Sequence, residues 1–350
     1  MSPEWIRNPL RDPSPTPSDD DAPLRFHRRL PGYAATPLID APKLAEEWGV
    51  GRVLLKFERE RFGLPAFKFL GVSWAAERLL GEPPHEPGLE LVAATDGNHG
   101  RAVARVARLA GLGATILVPA GTAQARIDAI AGEGAAVEVV DGSYDDAVRL
   151  MAAMADERRL VLSDTSWPGY EEVPRWVIEG YATIFHELDE QVDGGAVDIA
   201  FVPIGVGALA AAAARHLAGR ARLAGVEPTA AACMLESARA GRITEVPGPH
   251  GSIMAGLNAG LPSLVAWPQV SGAFELFCAA EDELAVEGTR RLARLGLEVG
   301  ECSGGAVGAA ARLLEDPAAR EALEARPDSA VVVLLTEGVT DPEAYQRIIR

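Results

Sequence analysis

Cysteine is scarce in this sequence, and its scarcity excludes several kinds of protein. The 350 residues contain three cysteines, Cys233, Cys278 and Cys302, which lie far apart and form no C-x-x-C pair. This spacing argues against a disulfide framework and against a zinc site of the usual pattern, so we expect no metal centre. It also predicts a reducing, cytoplasmic location.

Long apolar runs and basic blocks are also missing. No run is long enough to span a bilayer, and the first residues lack the charged-then-apolar layout of a signal peptide. Lys and Arg number 33 against 50 Asp and Glu, which gives a formal net charge of -17. Because phosphate binding needs a basic surface, neither a nucleic acid nor a membrane is an expected partner.

Proline is concentrated at the N-terminus, where nine of the 25 prolines fall within residues 1–42. Together with nearby Ser and Asp, it predicts an extended or disordered leader over residues 1–23 and order from near Leu24. Beyond the leader, apolar runs of strand length alternate with segments of helical period, which predicts mostly parallel sheet with helices on both faces. The predicted strands are Arg52–Phe57, Glu90–Ala94, Thr115–Pro119, Ala136–Val140, Leu160–Ser163, Asp198–Ile204, Arg222–Val226 and Ala330–Thr336.

Ligands of open α/β sheets bind beyond the carboxyl ends of strands, and one such loop is ATDGNHG, from Ala94 to Gly100. It follows a predicted strand and opens a predicted helix, so Asp96 can cap the helix while backbone N–H groups bind an anion. A substrate carboxylate would suit this turn. An ordinary capped turn without a ligand is the alternative.

A second loop, PIGVGALAAAAA, joins another strand to an Ala-rich helix. Gly205 and Gly207 let a phosphate approach the helix N-terminus and bind its free N–H groups. The same G-x-G-x-x-A pattern matches the dinucleotide fingerprint, with Glu227 placed near the position of the ribose-binding acid. A phosphate cup, an NAD-dependent dehydrogenase and ligand-free packing all remain open at this point.

Lys68 stands between phenylalanines in FGLPAFKFLG, an apolar setting that favours a neutral amine able to form a Schiff base with an aldehyde cofactor. Thr336 ends the apolar strand that contains VVVLL, and its hydroxyl can hydrogen-bond a ring nitrogen without carrying charge. Taken alone, Lys68 reads as a snorkelling surface lysine. A phosphate cup, an amine, a carboxylate-binding turn and a neutral ring partner together indicate a site for pyridoxal phosphate.

At these residues the sequence resembles the diaminopropionate ammonia-lyases, which are fold type II pyridoxal-phosphate enzymes. The similarity covers nearly all of the chain after the leader, and ATDGNHG and DTSWPGYEEVP are its most specific motifs. The resemblance implies an α/β fold with two domains, each an open, mostly parallel sheet with helices on both faces. It implies a large cofactor-binding domain over residues 24–85 and 195–350, a small domain over residues 86–194, an active site in the cleft between them, and a homodimer.

The resemblance also implies the roles of individual residues. Lys68 would bind the cofactor covalently, Asn98 would contact its ring hydroxyl, and Thr336 would face the pyridine nitrogen and so favour elimination. The catalytic residues would be Lys68, Asp96 and Asp164, and the substrate-binding residues Thr95, Asp96, Gly97 and His99. The phosphate cup would consist of Gly205, Val206, Gly207, Ala208 and Leu209.

The implied reaction is α,β-elimination of ammonia from 2,3-diaminopropionate, which yields pyruvate and ammonia. Lys68 on one face of the substrate and Asp96 on the other could each remove the Cα proton, so both D and L substrates would react. An anionic Asp96 beside the carboxylate site would favour an amino acid that carries a second ammonium, and Asp164 could add to this preference.

Departures from the family pattern leave other activities open. Lys56-Phe57-Glu58-Arg59-Glu60 stands where Lys-Asp-Glu-Ser is expected, and residues 301–306 read ECSGGA in place of a shorter Gly-Glu-Ser-Gly-Ala. A serine or threonine dehydratase or a β-replacement enzyme is therefore an alternative. A protein that binds the cofactor without turnover is another.

Overall fold

The computed structural model describes residues 3–12, 18, 20–95, 97–192 and 195–350, whose strands form a seven-stranded and a four-stranded sheet. The strands are β1 Glu4–Arg7, β2 Leu38–Asp40, β3 Arg52–Phe57, β4 Glu90–Ala94, β5 Gly113–Pro119, β6 Ala136–Val140, β7 Arg159–Val161, β8 Ile199–Pro203, β9 Arg222–Pro228, β10 Leu276–Ala280 and β11 Ala330–Leu335. The helices are α1 Ala22–Arg29, α2 Pro42–Trp48, α3 Lys68–Leu80, α4 Asn98–Ala110, α5 Gln124–Ala131, α6 Tyr144–Met154, α7 Glu172–Gln191, α8 Ala208–Leu217, α9 Cys233–Ala240, α10 Trp267–Ala273, α11 Asp282–Arg294, α12 Glu301–Glu315, α13 Pro317–Ala322 and α14 Pro342–Ile349.

The larger sheet has the order β1-β10-β9-β8-β11-β3-β2, parallel throughout except for the two antiparallel edge strands. Strand β11 lies inside it and is buried from Val331 to Leu335. Val332 and Leu334 pack into one hydrophobic cluster, whereas Val331, Val333 and Leu335 pack into another on the opposite face. The prediction of a strand covered on both faces is therefore confirmed.

The smaller sheet has the order β6-β5-β4-β7 and is entirely parallel. It uses residues from the middle of the chain, while the larger sheet takes its strands from both sides of that segment. The predicted fold class, α/β with mostly parallel sheets, is confirmed. Among the described residues, no helix is both long enough and apolar enough to cross a membrane.

Strand β1 lies within the stretch that the sequence predicts to be an extended or disordered leader. It pairs with β10 at the sheet edge, and the indole nitrogen of Trp5 donates a hydrogen bond to Asp316 at 3.1 Å. The side chain of Asn8 donates to the carbonyl oxygens of Ser271 and Phe274 at 2.7 and 2.8 Å. Order thus begins well before Leu24, because tertiary contacts hold a segment whose composition is poor in apolar residues.

Two glycines bring helices α3 and α7 into close contact. A Cβ added to Gly180 would lie 2.5 Å from the carbonyl oxygen of Leu70, and one added to Gly71 would lie 2.5 Å from the ring of Tyr181. Only glycine permits this approach of the two backbones. Because α3 begins at Lys68, the contact fixes the position of the lysine relative to the larger sheet.

A buried ion cluster lies beneath the loop that leads to Lys68. Lys56 and Arg61 bind Glu187, at 2.8 and 2.7 Å, and Arg61 also binds Glu58 at 2.7 Å. All four side chains are almost fully buried, and their charges cancel. Burial alone would lower the pKa of Arg61, but Glu58 and Glu187 raise it above its usual range. The ion cluster thus joins β3 and the loop after it to α7.

Candidate active site

A cleft beside the carboxyl ends of β4, β8 and β11 encloses about 790 Å³ of empty space, its open mouth included. It is lined by the start of α3, by the turn after β4, by the turn between β8 and α8, and by the residues that follow β11. The structure therefore brings together loops that are distant in the sequence, as the rule for open α/β sheets predicts. The predicted site residues that line it are Lys68, Thr95, Gly97, Asn98, His99, Asp164, Gly205, Val206, Gly207, Ala208, Leu209 and Thr336. Asp96 lies outside the described residues.

Lys68 forms an ion pair with Asp164 across the cleft. Its Nζ atom donates to Oδ2 of Asp164 at 2.6 Å, and the two side chains are 20% and 6% exposed. Burial alone would raise the pKa of Asp164, but the charge of Lys68 and then the proximity of His99 outweigh it and lower this pKa to about 2. Asp164 is thus a carboxylate at neutral pH.

The turn after β4 carries Thr95, Gly97, Asn98 and His99. The N–H of Gly97 donates to Oγ1 of Thr95 at 2.9 Å, and Gly97 has φ +148°, a conformation that favours glycine. Helix α4 begins at the next residue, so its free N–H groups face the cleft and can bind an anion. Within this turn, Asn98 donates from its amide to Oε2 of Glu337 at 2.6 Å.

The second predicted loop forms a cup at the start of α8. Gly207 precedes the helix with φ +98°, and a Cβ at this position would lie 2.2 Å from Cε of Met234. A Cβ at Gly205 would lie 3.3 Å from the carbonyl oxygen of Gly256. The first turn of the helix leaves N–H groups without helical partners, and they line the cleft together with Val206 and Leu209. This geometry suits a phosphate.

Glu227 does not reach this cup. It is fully buried, and its carboxylate accepts hydrogen bonds from the N–H groups of Met234 and Leu235 at 2.7 and 2.9 Å. It therefore caps the start of α9 instead of binding a ribose, and burial raises its pKa to about 8. The interpretation of Gly205 and Gly207 as a dinucleotide-binding loop therefore lacks the acidic residue that would bind the ribose.

Sequence reasoning missed Glu337, Glu301 and Asn258. Glu337 lines the cleft directly after Thr336, and Glu301 lies nearby at the start of α12. Burial, followed by the charge of Glu337, raises the pKa of Glu301 to about 7. Asn258 also lines the cleft, and its buried Oδ1 atom has no hydrogen-bond partner among the described residues. Two sequence signals were available: Glu337 follows a buried strand, and Asn258 lies in the turn with the sequence GLNAG.

Comparisons with known proteins agree with this geometry. The chain belongs to the pyridoxal-phosphate dependent enzyme family, whose model matches residues 29–337. It is 34% identical to the diaminopropionate ammonia-lyase of Escherichia coli K12 over 96% of this chain and 93% of the relative. It is 35% identical to that of Salmonella typhimurium LT2 over 93% and 90%, respectively. Serine racemase of Schizosaccharomyces pombe is 31% identical over 67% and 69%.

Solved structures show the same similarity. The E. coli diaminopropionate ammonia-lyase in complex with an aminoacrylate-PLP azomethine reaction intermediate matches with a TM-score of 0.92 and 33% identity, covering 99% of this chain and 96% of that one. The same enzyme in complex with D-serine matches with a TM-score of 0.91 and 31% identity. The predicted resemblance and cofactor are thereby confirmed, and the dehydrogenase alternative is wrong.

The residues present fit pyridoxal phosphate. The glycine cup at the start of α8 offers backbone donors to a phosphate, and the amine of Lys68 lines the same cleft as the hydroxyl of Thr336. Asn98, whose amide donates to Glu337, lines the same cleft. An aldehyde, a phosphate and an aromatic ring each have a matching partner in the cleft.

Gly207→Ala is expected to weaken cofactor binding by about 10-fold or more, because alanine at φ +98° costs roughly 1–3 kcal/mol and the cup relaxes to relieve it. Titration of the full-length protein with pyridoxal phosphate measures the dissociation constant. Gly251→Ala is the matched control, since a Cβ there meets no atom within 4 Å. Equal affinities for the two variants would contradict the assignment of the cup.

Proposed function

We propose that this chain catalyses α,β-elimination of ammonia from 2,3-diaminopropionate, giving pyruvate and ammonia. Its similarity to diaminopropionate ammonia-lyases over nearly its full length supports the proposal. The observation that carries it further is the charge of the cleft. Among the described lining residues, the carboxylates of Asp164 and Glu337 face a single lysine or arginine, which is Lys68.

This charge distribution favours a substrate with an additional positive charge. Serine and threonine are zwitterions of zero net charge, whereas 2,3-diaminopropionate can carry a second ammonium at Cβ. Once Lys68 is engaged with the cofactor, the two carboxylates would attract that ammonium, and Asp96 in the adjoining turn would contribute a third negative charge. Serine and threonine, the substrates of a dehydratase, lack the second ammonium and would not gain this electrostatic attraction.

The residues of the chain divide the work of the reaction. Pyridoxal phosphate, when bound, supplies the electron sink that makes the Cα proton acidic. The turn between β4 and α4 would bind the substrate carboxylate through Thr95, Gly97 and the first N–H groups of α4. Lys68 would accept the Cα proton from one face of the substrate, and Asp96 would accept it from the other enantiomer. Thr336, which is uncharged, would face the ring nitrogen.

A substrate panel tests the proposal. The purified holoenzyme is given D- and L-2,3-diaminopropionate, serine and threonine, with pyruvate or 2-oxobutyrate and ammonia measured. We expect kcat/KM for diaminopropionate to exceed that for serine by about 100-fold or more, roughly 2.7 kcal/mol, which one close charge pair at the edge of a protein can supply.

Each other outcome selects a different function. Comparable turnover of serine or threonine would identify a dehydratase and reject the proposal. Formation of a new amino acid only when a nucleophile is added would identify a β-replacement enzyme. Cofactor binding without release of ammonia from any of these substrates would identify a binding protein that retains the fold.

Assembly and location belong to the same proposal. We propose a homodimer, as the resemblance to fold type II enzymes implies, and the mass in solution from light scattering tests it. We also propose a cytoplasmic location, because the three cysteines are buried and free rather than paired.

A further inference from the structure

His99 lies behind Asp164, in the first turn of α4, and is 4% exposed. Its Nε2 atom is 2.9 Å from the carbonyl oxygen of Leu162, and its Nδ1 atom is 3.6 Å from Oδ2 of Asp164. Within the described part of the chain, Nδ1 has no hydrogen-bond partner although it is buried. A buried polar atom without a partner is costly and calls for an explanation.

The contact with Leu162 fixes which ring nitrogen carries a proton. A carbonyl oxygen only accepts hydrogen bonds, so Nε2 must be protonated. A neutral His99 therefore presents the lone pair of Nδ1 toward Asp164, which is itself a carboxylate. Two acceptors that face each other in a buried site repel, and a single proton between them would satisfy both.

One oxygen atom links this histidine to the lysine. Oδ2 of Asp164 is 2.6 Å from Nζ of Lys68 and 3.6 Å from Nδ1 of His99. We propose that His99 is a positioning residue that stores the proton which Lys68 must lose before its nitrogen can act as a nucleophile or a base. The Nζ–H bond breaks, the proton passes to Oδ2 of Asp164, the 3.6 Å gap between Oδ2 and Nδ1 closes to hydrogen-bond distance, and an Nδ1–H bond forms as the O–H bond breaks.

The transfer conserves charge within the buried group. Before it, Lys68 is an ammonium, Asp164 a carboxylate and His99 neutral; after it, Lys68 is an amine, Asp164 remains a carboxylate and His99 is an imidazolium. The net charge is zero in both states, so no uncompensated charge is created. Nε2–H then donates to the carbonyl oxygen of Leu162, and Nδ1–H faces Oδ2 of Asp164.

The surrounding groups act on the pKa of His99 in both directions. Burial lowers the pKa of His99, Asp164 raises it, and the charge of Lys68 lowers it again. Removing the proton from Lys68 abolishes the last of these effects. Among the described residues, Tyr170 and Tyr181 also interact with Asp164, and burial raises the pKa of both, so they stay neutral.

The inference concerns only how Lys68 becomes an amine, and it holds whatever amino acid the enzyme accepts. His99→Gln tests it, because a glutamine amide can still donate to Leu162 yet cannot store a proton. His99→Asn is the matched variant: it places an amide near Asp164, loses the Leu162 bond and also cannot store a proton. The full-length protein freed of cofactor is mixed with pyridoxal phosphate, and the rate at which the absorbance of the bound cofactor grows is followed from about pH 6 to about pH 9.

We expect the pH midpoint of this rate to move upward by about one unit in both variants, so that binding at neutral pH is about 10-fold slower. His99→Asn alone is expected to lower the melting temperature. A wild-type midpoint in His99→Gln, with only His99→Asn impaired, would show that the histidine is structural and would overturn the proposal. No amino-acid substrate is involved, so the result is independent of the substrate panel.

A second measurement needs no variant that might fail to fold. In the holoenzyme, Lys68 no longer holds its ammonium proton, so 15N NMR of labelled histidine is expected to show His99 with both ring nitrogens protonated at neutral pH. A neutral ring protonated only at Nε2 would overturn the proposal.

Discussion

Replacing Lys68 with alanine is expected to abolish the visible absorbance of the bound cofactor and to reduce ammonia release by about 1000-fold or more. The substitution removes both the amine that binds the aldehyde and a base for the Cα proton, and proton transfer alone contributes roughly 100- to 10,000-fold. The absorbance spectrum and the pyruvate assay, taken on the same sample before and after diaminopropionate is added, measure both losses.

Lys43→Ala is the matched control for this variant, because Lys43 is an exposed lysine of α2, outside the cleft.

Lys68→Ala also leaves Asp164 without its cation. Lys68 helps to hold the pKa of Asp164 at about 2, below its ordinary value of 3.8. A carboxyl group whose pKa is lowered by folding stabilises the folded state at any pH above its ordinary pKa. This stabilisation is lost as the pH falls toward about 2. The variant should therefore melt at a lower temperature at neutral pH but keep its fold. A surviving cofactor band in a folded Lys68→Ala protein would contradict the assignment.

The sequence predicts the sheets well where a strand is buried on both faces. Strands β3 and β4 have the predicted bounds, because their buried apolar runs are long and end at turn residues. Strand β6 also has the predicted bounds, although it is an edge strand without a buried residue. The edge strands β1 and β2 were missed, since one is polar and lies in a Pro-rich segment and the other has three residues. Strand β10, with the sequence LFCAA, was also missed although it is wholly buried, and its apolar run was a usable signal.

In the candidate site, the features that depend on local sequence were predictable, and the contacts between residues distant in the sequence were not. Gly207 and Lys68 were predictable, because a strand–glycine–helix turn and a lysine in an apolar run are local patterns. The contact of Asn98 with Glu337 was not, since it joins residues 239 positions apart. Glu227 shows the opposite error: its distance along the chain fitted a ribose-binding acid, but the first turn of α9 takes its carboxylate as a cap. Sequence spacing places a residue at the end of a strand and does not determine which neighbour it binds.

Asp96→Asn is expected to separate the two enantiomers of the substrate. Asp96 itself lies outside the described residues, but its neighbours Thr95 and Gly97 both line the cleft. If Lys68 and Asp96 serve opposite faces of the substrate, the loss of one carboxylate base should reduce kcat for one enantiomer by about 100-fold or more and leave the other within a few-fold of wild type. Pyruvate formation from pure D- and L-2,3-diaminopropionate measures the two rates separately.

The same substitution tests the electrostatic part of the specificity. Asparagine has the shape of aspartate without its charge, so the preference for diaminopropionate over serine should also fall, in the enantiomer that still reacts. Asp128→Asn, which changes an exposed aspartate of α5, is the matched control for the loss of one negative charge. An equal loss of activity toward both enantiomers would assign Asp96 to binding of the second ammonium, which both enantiomers carry, and not to proton transfer. An unchanged ratio of diaminopropionate to serine turnover would leave Asp164 and Glu337 as the carboxylates that recognise the second ammonium.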